Sequence, residues 1–355
     1  MHPERVGIIG LGATATEAIH QLLEDGQGLD LAALASRKPA RVYIETLRWN
    51  SHYPERPVKN VTASEGEIII DGGRIPFQQF EYRRDENEQL INVRELRAWT
   101  ENQVAIALEA TGTMHSLDEA LMHINQAGVA AVVIASPAKD KIPSFCIGIN
   151  ENQWDPSSHP VVATESCTTN CAVYPIKILD EHFGVERIFG VSTHIRTGSN
   201  QLIDRPNRHE DPRRSRAATV NIIPTTTGAQ EGVLRLLPQL ADRGVSVKIR
   251  SRRVPVDNIS LLDLDVTMRQ GTQLTTEKLM DLLTEHAQGP LQGIMGIAPE
   301  YAVSTMFVGQ KLQCIIDPTE TIAEGRHATI SAWYPNIPGP ITGALSMARV
   351  MASKL

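Results

Sequence analysis

Residues 6–15 limit most narrowly how this chain can fold. An apolar run, Val6-Gly7-Ile8-Ile9-Gly10, meets Gly12 at once and gives way to Ala13–Leu23, which reads as a helix. A second apolar run, Leu29–Ala35, follows. Short apolar run, tight turn, helix and second run together predict a strand–helix–strand crossover. The turn Gly10-Leu11-Gly12-Ala13-Thr14-Ala15 fits a GxGxxA pattern. The first glycine permits the turn, the second lets backbone approach a pyrophosphate, and the small third residue lets helix and strand pack closely. The helix N-terminus then offers N–H groups and its positive dipole end to the phosphates. A dinucleotide is the expected ligand, held by Gly10, Gly12, Ala13 and Thr14; an ordinary strand–helix turn is the alternative.

The end of the second strand selects the nucleotide. A carboxylate there would hold the adenosine ribose hydroxyls of NAD. This chain has Ala35-Ser36-Arg37-Lys38 instead. One hydroxyl and two cations can bind a 2′-phosphate, and no carboxylate repels it. NADP is therefore the preferred cofactor, with NAD possible. Arg37 and Lys38 also read as a solvated surface pair.

Beyond these elements, residues 67–76 predict a hairpin around Asp71-Gly72-Gly73. Val104–Leu108 and Val129–Ala135 read as buried strands separated by a helix over Leu117–Gln126. Strand and helix thus alternate through the first half, as in a doubly wound sheet. After Cys167 the pattern changes. Strands are predicted over Ile188–Ile195, Val245–Ile249, Ser260–Met268 and Ala302–Val308, with helices over Val173–His182, Gln230–Gln239 and Glu277–His286. This predicts a mixed, mostly antiparallel sheet with helices on one face. Pro335–Pro340 reads as a rigid turn into a last helix, Ile341–Met351. The fold class is α/β: a Rossmann-type domain over 1–166 and 336–355, and an α+β catalytic domain over 167–335.

The chemistry sits in two blocks. Ser166-Cys167-Thr168-Thr169-Asn170-Cys171 puts a thiol at the start of a helix, where the dipole and free N–H groups lower a thiol pKa. His194, on the apolar run Gly190–Ile195, is the candidate base; a structural histidine would look the same. Residues 213–229 (RRSRAATVNIIPTTTGA) supply guanidiniums and hydroxyls suited to phosphate. Arg213, Arg214 and Arg216 read also as a solvated basic loop or as partners in subunit-interface salt bridges. Cys171 reads as core packing, and Lys248, Arg250 and Arg252 as solvated.

The bulk numbers agree with an ordinary globular protein. A chain of 355 residues is long for one core. A net charge of −7 argues against bulk nucleic-acid binding. No apolar run reaches the roughly 20 residues of a membrane span. The expected compartment is the cytoplasm, since four cysteines are too few for a disulfide framework. No metal site is visible.

Both blocks, in order and spacing, resemble the phosphorylating glyceraldehyde-3-phosphate dehydrogenase family, and the similarity runs over nearly the whole chain. The resemblance implies that Cys167 is the nucleophile and His194 its acid–base partner. It implies that Thr197 and Arg253 hold the substrate's C3 phosphate. Ser166, Thr168, Thr227, Gly228 and Arg214 would hold the attacking inorganic phosphate. Asn336, in Ala332-Trp333-Tyr334-Pro335-Asn336, would contact the nicotinamide amide. Glu109-Ala110-Thr111-Gly112 and Ser136–Asp140 resemble the loops that line the cofactor, with Thr111, Gly112 and Ser136 as contacts. The resemblance also implies a homotetramer acting on a small phosphorylated aldehyde and inorganic phosphate.

The chain departs from the family in several places. Ala13-Thr14 replaces Arg-Ile in the turn, and Ala35-Ser36 replaces Asn-Asp at the strand end. Thr197-Gly198-Ser199 replaces Thr-Asn-Asp, and Glu165 stands where alanine is usual. Asn336-Ile337-Pro338-Gly339-Pro340 lacks a tyrosine that packs near the cofactor. The expected reaction is reversible oxidation of D-glyceraldehyde 3-phosphate to an acyl phosphate with NADP. The alternatives are another phosphorylated aldehyde, such as erythrose 4-phosphate, or a weakly catalytic nucleotide-binding regulatory protein.

Overall fold

The computed structural model describes residues 4–26, 28–51, 53, 57–80, 82–84, 90–93, 96–113, 116–137, 141–206 and 211–355, without the side chains of 82–84 and 90–93. The chain divides into two compact units, residues 1–145, 150–165 and 341–355, and residues 146–149 and 166–340. The boundaries differ from the sequence expectation at 146–149, 166 and 336–340. Local packing accounts for this. Cys146 Sγ lies 3.4 Å from Asn170 Oδ1 and 3.2 Å from Tyr174 Oη. A Cβ added at Gly339 would stand 2.5 Å from the Leu312 carbonyl oxygen.

Among the described residues, the first unit builds an eight-stranded sheet. Its order is Val161–Ala163, Ala131–Ile134, Ile106–Glu109, Glu4–Ile9, Leu29–Ser36, Gly73–Gln79, Glu67–Ile70, Val61–Ser64. The first six run parallel, and the last two pairings are antiparallel. The central strands carry unbroken apolar runs because a parallel sheet is covered on both faces. Val6, Ile8, Leu34, Ile106 and Val132 are completely buried. Helix Ala13–Glu24 buries Ala15, Ala18, Ile19 and Leu22, the 3.6-residue stripe that faces a sheet. Chain order reverses across Glu4–Ile9, so the glycine turn follows the switch-point strand where doubly wound sheets bind ligands. The hairpin appears as expected, its turn residues Asp71 and Gly72 both at positive φ.

The second unit is built on a nine-stranded mixed sheet. Its main order is Ile223–Thr225, Ser246–Val254, Val185–Ile195, Ser260–Met268, His327–Tyr334, Cys314–Ile316, Met295–Ile297. Helices Cys167–Phe183, Ala229–Leu236 and Thr276–Gln288 share one apolar core with it. The architecture is thus a Rossmann-type unit and an α+β unit.

Three element assignments need correction. Ala302–Val308 is not a strand: it contains a 3-10 turn, Ser304–Phe307, with Val303 and Met306 exposed and Phe307 buried. The helix expected over Gln230–Gln239 is two, Ala229–Leu236 and Pro238–Asp242, because Pro238 has no N–H to continue the first. Residues 338–340 are not a turn before the last helix but its first turn, Pro338–Ala352, where proline costs no hydrogen bond. Among the described residues, no helix is long and apolar enough to cross a membrane.

Candidate active site

Cys167 is the first residue of helix Cys167–Phe183. Ser166 caps that helix, its Oγ accepting from Thr169 N–H at 3.1 Å. The cap satisfies an amide that the helix itself leaves without a partner. Glu165, just before the cap, is buried at a left-handed φ of 64° and accepts from the Ser144 hydroxyl.

Strand Val185–Ile195 brings His194 to the thiol, with Nε2 3.6 Å from Cys167 Sγ. Imidazole Nδ1 lies 2.8 Å from the Ile195 carbonyl oxygen, so Nδ1 donates there and Nε2 is left as the acceptor. Asn336 Nδ2 donates toward Nε2 at 3.3 Å and toward Sγ at 3.7 Å. Ser260 fixes that carboxamide, accepting from Asn336 Nδ2 at 2.8 Å and from Ile195 N–H at 3.1 Å.

A buried phenol braces the other side. Tyr334 Oη lies 2.7 Å from Ser192 Oγ and 3.0 Å from Thr168 Oγ1. Its ring meets His194 edge-on, centroids 6.0 Å apart. Sequence reasoning missed Ser192, Ser260 and Tyr334 as parts of the site. A usable signal existed for Ser192: it stands two residues before His194 on one strand and so shares its face.

Arg253 pairs with His194 in the parallel register of the neighbouring strand. Its Nη1 donates to the Ile195 carbonyl at 3.0 Å and lies against His194 Nδ1. Burial and this guanidinium hold the imidazole pKa down at about 3. Burial pushes the Cys167 thiol up, against the pull of Arg253, Asn336 and Thr168. The sequence expectation of a depressed thiol pKa is therefore corrected: desolvation outweighs the helix terminus. At neutral pH the free protein holds a thiol beside a neutral imidazole. Cys167 is half-buried, whereas Cys146, Cys171 and Cys314 are buried. Burial and the neighbouring Cys314 thiol push Cys171 well up, consistent with packing.

Among the oxyanion candidates, Arg214 and Arg253 interact through charge. Burial, and secondarily the charge of Arg214, lower the Arg253 pKa, which places both guanidiniums in one electrostatic neighbourhood. Arg213 and Arg216 instead pair with Asp211 and Asp204 at 2.9 and 2.7 Å. Both pairs lie within the chain, with the guanidiniums exposed, as the solvated-loop alternative expects. Thr197 donates to Asn200 Oδ1 from N–H at 2.9 Å and from its hydroxyl at 3.4 Å. Thr227 Oγ1 accepts from Ala229 N–H at 3.2 Å, and Gly228 caps helix Ala229–Leu236. Lys248, Arg250 and Arg252 are exposed.

Apart from Asn336, which lies in the second unit, the cofactor candidates lie in the first. Gly10 has φ +100°, and a Cβ there would sit 2.9 Å from the Ala110 carbonyl and Thr111 N. Gly12 faces open space, and Gly12 and Ala13 are exposed. No side chain caps helix Ala13–Glu24, so its first-turn amides suit an anion. These features fit a pyrophosphate. Ser36 is buried and donates to Tyr43 Oη at 2.9 Å, while Arg37 and Lys38 are exposed. Glu109 accepts from Thr111 N–H at 2.7 Å, and burial pushes its carboxyl up to about 8. Gly112 is exposed and Ser136 half-buried; Ala138, Lys139 and Asp140 lie outside the described residues.

Residues 166–336 match the family described as glyceraldehyde 3-phosphate dehydrogenase, C-terminal domain. Similarity extends along both units. The chain is 30% identical over 352 residues to glyceraldehyde-3-phosphate dehydrogenase 2 of Trichormus variabilis, covering 99% of each. The chain belongs to the glyceraldehyde-3-phosphate dehydrogenase family. It is 30% identical over 354 residues to the Bacillus subtilis protein named glyceraldehyde-3-phosphate dehydrogenase 2, covering 99% of this chain and 97% of that one. It is 32% identical over 332 residues to the glyceraldehyde-3-phosphate dehydrogenase of Kitasatospora aureofaciens, covering 94% of each. At this distance it is a divergent dehydrogenase of that family. Its Cys167, His194, Arg253 and Asn336 nevertheless converge on one point.

Proposed function

We propose that the protein oxidises D-glyceraldehyde 3-phosphate, with inorganic phosphate, to an acyl phosphate, and that NADP is its preferred cofactor. The 3.6 Å approach of His194 Nε2 to Cys167 Sγ carries this reading. The Nε2 lone pair takes the thiol proton as sulfur attacks the aldehyde carbon and returns it to the carbonyl oxygen, forming a neutral hemithioacetal. A bound nicotinamide supplies the hydride acceptor, held through Gly10, Gly12, Ala13, Thr14, Thr111, Gly112 and Ser136. His194 removes the hydroxyl proton of the hemithioacetal, leaving a thioester on Cys167. Phosphate, held by Ser166, Thr168, Thr227, Gly228 and Arg214, then attacks that thioester and restores the thiol. Asn336 Nδ2 points a donor at the reacting sulfur, where negative charge develops.

Thr197 and Arg253 hold the C3 phosphate. A dianion there offsets the Arg253 charge that depresses His194, so a phosphorylated substrate makes its own base stronger. A strand end without carboxylate, followed by exposed Arg37 and Lys38, supports NADP. The first unit is then the nucleotide domain and the second the catalytic one, and the protein is a cytoplasmic homotetramer.

Initial rates with D-glyceraldehyde 3-phosphate and phosphate test the reading, with NADP and NAD compared across a concentration series. Turnover dependent on phosphate and abolished by Cys167→Ser supports it. Turnover at wild-type rate in that variant refutes the mechanism. Faster turnover of erythrose 4-phosphate would replace the substrate, and NAD preference would replace the cofactor.

A further inference from the structure

Arg196 and Asp257 form a contact that the chemistry of Cys167 and His194 leaves unused. The parallel ladder between strands Val185–Ile195 and Ser246–Val254 ends at Ile195 and Val254. The two segments stay tied beyond it. Arg196 N–H donates to the Val256 carbonyl at 3.1 Å. The Arg196 guanidinium grips the Asp257 carboxylate through two donors, Nε to Oδ1 and Nη2 to Oδ2, the latter at 2.7 Å. Such a fork fixes orientation as well as distance. Arg196 directly precedes Thr197, and Asp257 stands on the loop that follows Arg253. The far side of the Thr197 turn is held by Asn200.

We propose that the Arg196–Asp257 pair is a positioning clamp for the phosphate group of the aldehyde substrate. It holds the Thr197 turn in register with Arg253, and the proposal rests on the assignment of those two residues to that phosphate. The pair is not itself the anion ligand, because Asp257 neutralises Arg196 at both contact points and repels a phosphate drawn to it. An ion pair serving only the surface would contribute little, and its loss would leave substrate affinity unchanged.

Steady-state kinetics of the full-length, cofactor-saturated enzyme decide the matter, with D-glyceraldehyde 3-phosphate compared with unphosphorylated D-glyceraldehyde. Arg196→Ala and Asp257→Ala are each expected to raise KM for the phosphorylated aldehyde about tenfold, with kcat within about twofold. The double variant is expected to be no worse than either single one, since both remove the same contact. Arg196→Lys, which keeps the charge and the fold but loses the fork, is expected to fall between. KM for unphosphorylated aldehyde is expected to stay unchanged throughout. A wild-type or lowered KM in Asp257→Ala overturns the clamp, the latter by showing Arg196 to be a ligand that Asp257 masks. Equal losses for both aldehydes overturn it too. Wild-type protein that turns over neither aldehyde defeats the underlying functional reading instead, which sets that failure apart.

Discussion

Arg253 stands opposite His194 across a parallel strand pair, and both face the Ile195 carbonyl oxygen. One acceptor thus gathers the acid–base group and the cation that restrains it. Burial, and with it the guanidinium, keeps the imidazole neutral, while the guanidinium also favours the thiolate of Cys167. Its charge therefore acts in opposite senses on the two partners.

Removing that charge is expected to separate the two effects. In Arg253→Gln the His194 pKa rises from about 3 toward its ordinary value of 6.5, while the thiol moves further up. Histidine proton resonances followed against pH check the first, and iodoacetamide labelling at neutral pH checks the second. Labelling is expected to slow, and faster labelling would show that Arg253 does not stabilise the thiolate.

Arg214 should separate from its neighbours in the same way. Arg213 and Arg216 are engaged by Asp211 and Asp204, whereas the charge of Arg214 reaches Arg253. Arg214→Ala is expected to raise KM for inorganic phosphate about tenfold or more. Arg213→Ala and Arg216→Ala are expected to leave it within about twofold. Initial rates over a phosphate series measure all three.

The two glycines of the nucleotide turn are expected to respond differently to alanine. At Gly10 a Cβ meets backbone at 2.9 Å on a residue with φ +100°, so Gly10→Ala should cost more than about 1 kcal/mol of stability. At Gly12 nothing stands in the way of a Cβ, so Gly12→Ala should keep the thermal midpoint and lose cofactor affinity. Calorimetry with and without nucleotide distinguishes them, and a wild-type affinity in Gly12→Ala would remove that turn from the cofactor site.

In mild acid His123 is expected to cost the first unit stability, against the opposite effect of Glu109, whose raised carboxyl favours the folded state as pH falls from about 8. Trp99 Nε1–H donates to Nδ1 of His123, and burial holds that imidazole at about 4 against 6.5 when exposed. The unfolded chain then binds the extra proton, so stability present above pH 6.5 is lost as pH falls toward 4. One such group contributes roughly 3 kcal/mol over that range. Urea midpoints against pH measure it, and His123→Gln is expected to remove that loss and to leave the opposite slope that Glu109 contributes. An unchanged slope in that variant would place the acid sensitivity elsewhere.

Local patterns made much of this legible beforehand. The crossover around Gly10, the Asp71-Gly72 hairpin and strand Ser260–Met268 rest on periodicity and turn chemistry, which act over a few residues. The segment Ala302–Val308 misled because apolar residues also occur singly on surfaces, and only packing separates such a run from a strand. Strand His327–Tyr334 was missed although it pairs with Ser260–Met268 over its full length. Its alternation is broken by buried polar residues such as Ser331, which finds its partner in Asp263 only across the sheet.

By itself, the sequence determined the glycine turn and the thiol at a helix start, because each is a local arrangement of residue types, while His194 was named through the resemblance. Only the tertiary structure decided that Arg253 faces His194, that Ser260 and Tyr334 brace the pair, and that Arg213 and Arg216 are engaged by Asp211 and Asp204. It also reversed the direction of the Cys167 pKa. Register and burial are properties of the packed sheet, and desolvation acts only once water has been excluded.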